Sequence, residues 1–342
     1  MEDEKQEGKL LDKRILFFLL SKKIIEPARA KLALGKLGVY PDQKEWLKFV
    51  DIMLLTFSAG LFINGVFFFF AFNWDIMHKF VKLGLVSGGM LVVGAITFVR
   101  SGKELAFQVG LSLLCLLTGA WLATFGQIYQ TGANAYDFFF GWTLLIVIWV
   151  AISRFPPLWI FLLVLLNTTA VLFAGQVLRV WDSTWLFLSL SLINFFALSV
   201  WEYLAYFQAG TNIGKLVGGE SWLKTRWVAW LIGIVFYAIL TNLVGYVVFE
   251  NVSEVEVGIV SILTLVFYPL GYFLYRNYIK DLVLMAVIAL SVIVVGNFVI
   301  FSFIEQDFIS ATLIAGLLSI GVTVLVVYEM VGLTKKWKAD EN

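Results

Sequence analysis

FFFFAFNWD (67–75) and WLATFGQIYQTGANAYDFFFGW (121–142) decide how this chain is read. In each, an apolar run meets amides and carboxylates: Asn73 and Asp75 in the first, Gln127, Gln130, Asn134 and Asp137 in the second. An α-helix needs about 20 apolar residues to cross about 30 Å of hydrocarbon, and its polar end marks where the apolar solvent stops. The two stretches therefore read as the tips of membrane-crossing helices.

Composition extends that reading to the whole chain. Hydrophobic residues make up 61% of 342 and charged residues only 14%, against roughly a quarter charged in a soluble domain. Most of the chain must be solvated by lipid. The expected fold is all-α: a polytopic transmembrane helical bundle of about ten spans, preceded by a short N-terminal cytoplasmic helical hairpin. Expected span limits are 50–73, 80–99, 104–125, 137–153, 156–175, 183–201, 227–249, 256–275, 281–303 and 308–332. Residues 1–49 form the amphipathic hairpin, with Leu10, Leu11, Ile15, Phe18 and Leu19 at helical spacing and Pro27 in the first turn of a second helix. Residues 50–332 form the bundle and 333–342 a cytoplasmic tail. No cleavable signal peptide is expected, because the first apolar run, Ile15 to Leu20, is short and follows a charged leader.

Basic residues test the count. Of 25 Lys and Arg, all but Lys79, Lys82 and Arg179 fall on one side of a ten-span alternation. That bias is the positive-inside rule, and it places both termini in the cytoplasm of a cell whose inner membrane holds the protein. The opposite connections are acidic, with Asp75, Asp137, Asp182, Glu250, Glu254, Glu256, Glu305 and Asp307.

Several function classes are excluded or unsupported. Net charge is +1 and no basic patch with interleaved aromatics occurs, so no nucleic-acid partner is expected. The single cysteine, Cys115, precludes an internal disulfide, and the single histidine, His78, precludes an H-E-x-x-H zinc site. No G-x-S-x-G, Walker A or G-x-G-x-x-G motif is present, so no enzyme activity and no cofactor are expected.

What remains is the polar outer end. The first and third spans finish on the same face, which brings Asn73 and Asp75 to the depth of Gln127 and Gln130, with Asn134 and Asp137 opening the fourth span beside them. Amides donate and accept hydrogen bonds, whereas ionised carboxylates only accept, a combination suited to a cation or polar solute. These residues, with Asn64 deeper in the first span, are the expected binding site for a small polar or cationic solute. A plainer role competes for the acids: Asp is a preferred N-cap and is favoured by the helix macrodipole. Gln108, Asn167, Asn194, Asn242 and Asn297, deeper in other spans, are expected to face the interior, most of them as interhelical glue, and Gly84-x-x-x-Gly88 is a close-packing signal. The alternative function is a non-transporting scaffold or sensor that docks a cytoplasmic protein through residues 1–49.

The same residues resemble the signature of an uncharacterised family of bacterial multi-pass membrane proteins, a domain of unknown function. The resemblance lies in LLSKKIIEPARAKL (19–32), in Ala71-Phe72-Asn73-Trp74-Asp75, and in Gly126-Gln127-Ile128-Tyr129-Gln130 leading to Gly141-Trp142. It covers roughly the first 150 residues. It implies a bacterial cytoplasmic-membrane protein and no particular activity.

Overall fold

The computed structural model describes Phe18, Lys22 and residues 43–73, 76–129, 132, 134–181, 183–207, 222–223, 225–303 and 308–340. Among them the chain is helical throughout, and ten helices are long and apolar enough to cross a membrane. They are α1 (Gln43–Asn73), α2 (Lys79–Val99), α3 (Glu104–Tyr129), α4 (Ala135–Ser153), α5 (Pro156–Phe173), α6 (Thr184–Glu202), α7 (Arg226–Phe249), α8 (Glu254–Asn277), α9 (Leu282–Phe303) and α10 (Phe308–Asp340). One π-helical turn extends α5 over Ala174–Leu178 and another extends α6 over Tyr203–Phe207.

The helix ends follow local chemistry. Pro156 sits in the first turn of α5, where its missing N–H breaks no bond. The Ser183 hydroxyl accepts the Leu186 N–H at 3.1 Å to cap α6. At the start of α8, the Ser253 hydroxyl accepts the Glu256 N–H at 3.3 Å while the Glu256 carboxylate accepts the Ser253 N–H at 3.0 Å. This reciprocal arrangement satisfies two donors that a helix start otherwise leaves unpaired.

The expected spans match these helices closely, with three differences of extent. α1 begins at Gln43, inside the segment read as a hairpin, and α10 runs on through 333–340, read as a tail. α3 continues to Tyr129, so Gln127-Ile128-Tyr129 is helix rather than loop. Apart from Phe18, Lys22 and the start of α1, the expected hairpin lies outside the described residues.

The chain forms two compact units, Met1–His78 and Lys79–Asn342. In the second, α7 is the central pillar. Val228, Ala229, Leu240 and Leu243 are fully buried, and Phe236 and Tyr237 nearly so, in a core shared with α6, α8 and α9. A smaller core gathers Cys115, Ile146, Val150 and Leu162 between α3, α4 and α5. Large apolar side chains such as Leu91, Phe98, Leu265 and Leu290 point outward, as expected where lipid replaces water as the solvent.

Close approach occurs at Gly110 and Gly119. A Cβ on Gly110 would lie 2.0 Å from Thr97 Oγ1, and one on Gly119 would lie 2.3 Å from the Trp142 ring. Gly84 and Gly88 meet no neighbour within this unit, so helix contact uses glycines outside the G-x-x-x-G pair.

Buried amides partner across helices. Asn194, fully buried on α6, donates to Asn167 Oδ1 on α5 at 2.7 Å and to the Leu190 carbonyl at 2.8 Å. Asn297 on α9 accepts from Ser319 of α10 at 3.1 Å. Asn242 departs from expectation: it is exposed, and its amide is satisfied by the Ala238 carbonyl on its own helix at 2.9 Å. The helix backbone there meets the hydrogen-bond demand that the sequence reading assigned to a neighbouring helix.

Asn167→Ala, which removes the interhelical partner of Asn194 and leaves only its bond to the Leu190 carbonyl, should lower stability by about 1–2 kcal/mol. Asn242→Leu should change it by less than about 0.5 kcal/mol. Thermal unfolding of the two variants in detergent checks this, and equal losses would show that the pair contributes nothing specific.

Candidate functional site

At the end of the second unit where α4 begins, the sequence-predicted residues form a helix cap. The Asp137 carboxylate accepts the Asn134 N–H at 3.1 Å, and the Asp137 N–H donates to the Asn134 carbonyl at 3.1 Å. Both residues are exposed, as is Gln127 on the last turn of α3. The Tyr136 N–H donates to Gln176 Oε1 at 3.1 Å, and the Tyr136 ring meets Phe173 edge-on at 5.3 Å. These contacts fasten the start of α4 to the end of α5.

The structure thus brings Asn134 and Asp137 together and leaves Gln127 on the surface. Asn64 belongs to the first unit, where its amide donates to the Gly60 carbonyl at 2.9 Å. Asn73 is the last residue of α1. Trp74, Asp75 and Gln130 lie outside the described residues, and with them the expected meeting of the two tips.

The opposite end of the second unit holds a buried charge cluster that the motif reading did not single out. Arg226 opens α7. Its Nη1 donates to both Glu202 oxygens, at 3.1 and 2.9 Å, and its Nε donates to Asp281 Oδ2 at 2.8 Å. Its Nη2 donates to the same Asp281 oxygen. Trp230, one turn along α7, adds its indole N–H to that oxygen at 2.9 Å. The other Asp281 oxygen accepts the Val283 and Leu284 N–H groups at 2.9 and 3.1 Å, capping α9. Glu202 and Asp281 are both buried.

Helix dipoles decide what holds this cluster. Asp281 precedes a helix N-terminus, where a negative charge is favoured. Arg226 sits at the positive end of α7 and Glu202 at the negative end of α6, each on the unfavourable pole. Their position is stabilised by the pairing itself. Asp281 lies just outside the spanning segment; burial pushes its carboxyl up, but the Trp230, Arg226 and Leu284 donors outweigh burial and hold it below the usual carboxylate range.

Beside the cluster, α6 and α8 enclose a groove against α7. The helices touch where Phe195 of α6 meets Phe267 of α8 at 4.5 Å, with Phe236 of α7 at 5.7 and 5.5 Å from the two rings. Toward the Arg226 end a cavity of about 460 Å³ opens, lined by Leu198, Leu270, Leu274 and Ile279 and ending at Glu202 and Tyr275. Arg226 and Asp281 are not in its wall. Of the three charged residues, Glu202 alone lines the cavity, and its carboxylate is held there by Arg226.

Helix irregularities frame the groove. Pro269 lies within α8 and removes one bond from its ladder. At Gly271 any Cβ would fall 2.0 Å from the Tyr237 hydroxyl, so this position admits α7 closely. On the other wall, the Tyr203–Phe207 π-helical turn continues α6.

Residues 19–159 match the model of a family described as predicted membrane protein (DUF2157). The resemblance carried by the NWD and QIYQ stretches is borne out there. The chain is a multi-pass membrane protein. No curated protein and no solved structure matches it. The matched stretch ends in α5, so the charge cluster and groove lie beyond it. Among the described residues, no three His, Cys, Asp or Glu side chains converge as a metal site would require.

Asp281 carries a depressed pKa, so its stabilising contribution is present above about pH 4 and is lost as pH falls through its folded-state value. Asp281→Asn should destabilise the protein by about 1.5–3 kcal/mol at pH 7, with the gap to wild type narrowing as pH drops below about 4. Melting temperatures in detergent across pH 3–7 measure it; a gap independent of pH would rule out the charge as its source.

Proposed function

We propose that this protein binds an amphiphile from within the bilayer, its apolar body in the groove between α6 and α8 and a cationic or hydrogen-bond-donating head at Glu202. The observation that carries the reading is the composition of one cavity. Its walls are mostly aliphatic and aromatic, and the one acidic residue among them is Glu202, which lines it together with Tyr275. Pockets for small molecules are mostly apolar with few polar groups that fix orientation, and this one has that composition.

The sign of the head follows from the charge balance. Two carboxylates share one guanidinium, so the cluster keeps an excess negative charge, and Glu202 is the member that faces the cavity. An amine or a multiple hydrogen-bond donor is accommodated there; an anionic head would confront the carboxylate. The polar or cationic solute expected from sequence is thus carried on an apolar body, and lipid-side entry needs no aqueous vestibule. The Lys/Arg bias supports a cytoplasmic-facing Arg226 end with both termini on that side. The activity is binding rather than catalysis.

In nanodiscs, radiolabelled hexadecylamine should bind saturably while hexadecyl sulfate does not. Glu202→Gln should weaken amine binding roughly tenfold to a hundredfold, by loss of one charge-assisted hydrogen bond. Leu274→Trp should block the groove while leaving the cluster intact. Amine binding undiminished in both variants would overturn the assignment.

A further inference from the structure

A second concavity lies on the other side of α8 and has the opposite electrostatic character. It occupies about 460 Å³ between the last turn of α8 and the end of α10, and its walls include Arg276, Lys280, Lys336, Tyr272 and Trp337. Leu274 and Tyr275 face the groove already described, whereas Tyr272 and Arg276 face this one. A helix turns 3.6 residues per revolution, so alternate pairs along α8 serve two different sites.

One wall is pre-ordered. Glu329 of α10 pairs with Arg276 at 2.7 Å and accepts the Tyr272 hydroxyl, and the Arg276 guanidinium lies 5.9 Å from the Tyr272 ring centre. The Arg276 charge is thereby met. Among the described residues, no carboxylate pairs with Lys280 or Lys336, so the concavity retains the equivalent of two positive charges. Lys280 is held at φ 56°, in the left-handed region that a side chain adopts at some expense. This conformation belongs to the turn that delivers Asp281 to Arg226, so the position of Lys280 is tied to the buried cluster.

We propose that this concavity binds the phosphate head of an anionic phospholipid. Its aromatic and apolar lining, Tyr272, Phe273, Leu333 and Trp337, favours a lipid over a free ion. Trp337 and Tyr272 are aromatic residues of the kind that settle at the headgroup level. Phe273 and Leu333 complete the lining on the apolar side, with Phe273 exposed toward the surrounding solvent. Acyl chains would follow that apolar surface while Lys280, Lys336 and Arg276 meet the phosphate. Basic pockets between spanning helices on the cytoplasmic side are suited to anionic headgroups, and the Lys/Arg bias assigns this end to that side. The site is independent of the groove, shares no residue with its lining, and takes a ligand of opposite charge.

The test uses the full chain in detergent, titrated with phosphatidylglycerol, phosphatidylcholine or inorganic phosphate, with melting temperature and native mass spectrometry as readouts. Phosphatidylglycerol should raise the melting temperature and remain bound, while phosphatidylcholine should do neither. Lys280→Asn with Lys336→Gln should abolish both effects; asparagine tolerates the left-handed backbone, so the turn keeps its shape. Arg100→Gln with Lys103→Gln, a charge-matched pair of exposed changes outside the concavity, should preserve them. An equal response to phosphatidylcholine, a response retained in the double variant, or full replacement by inorganic phosphate would each overturn the proposal.

Discussion

A guanidinium shared by two carboxylates at the edge of the hydrocarbon layer is the constraint on which the C-terminal half of this protein depends. Charges there are expensive unless paired, and Arg226 and Glu202 stand at helix poles that disfavour them. Each can remain only while the other is present, which fixes the end of α6 against the start of α7. Asp281 joins from the start of α9 and is itself locked by the backbone it caps. Three helix ends are thereby set at one level, and a miscounted span between 202 and 281 would have separated them. The buried face of α7 then fills in behind this anchor.

The groove and the basic concavity are consequences of how α8 meets that anchored core. α8 touches α6 through Phe195 and Phe267, approaches α7 closely at Gly271, and buries Tyr275 in the shared core near the Arg226 end. The space left on one flank is apolar and ends in a carboxylate; the space on the other is rimmed by lysines. Pro269 interrupts the ladder of α8, and the Tyr203–Phe207 turn continues α6 as a π-helix. One helix thus divides two environments of opposite charge within a few residues of each other.

At the other end of the second unit, polar side chains are spent on structure. Asp137 and Asn134 complete a helix start, Gln176 serves the Tyr136 backbone, and the Asn167–Asn194 pair holds α5 to α6 in mid-membrane. The roles follow from the demand that each polar group find a partner when water is absent. An amide reaches its own helix's carbonyl four residues back as readily as it reaches a neighbour, which is why Asn242 looks like glue in the sequence and is not glue in the fold.

The sequence by itself determined the number of spans and, apart from the extents of α1, α3 and α10, their approximate limits, because hydropathy is a local quantity read one segment at a time. NWD and QIYQ likewise carried the family resemblance, whereas Asp137 could be read from sequence either as a binding residue or as a cap, and in the fold it fills the N3 position of a capping box whose N-cap is Asn134. Only the tertiary structure singled out the charge cluster. Glu202, Arg226 and Asp281 each look like ordinary charges at span ends, and nothing in one-dimensional spacing shows that two acids converge on one arginine. Their shared predicted side was the available signal, but side is a coarse coordinate, and pairing requires lateral neighbours. Which helix lies beside which is set by side-chain packing across segments far apart in the chain, and an apolar run fitted to lipid leaves that choice open until the bundle closes.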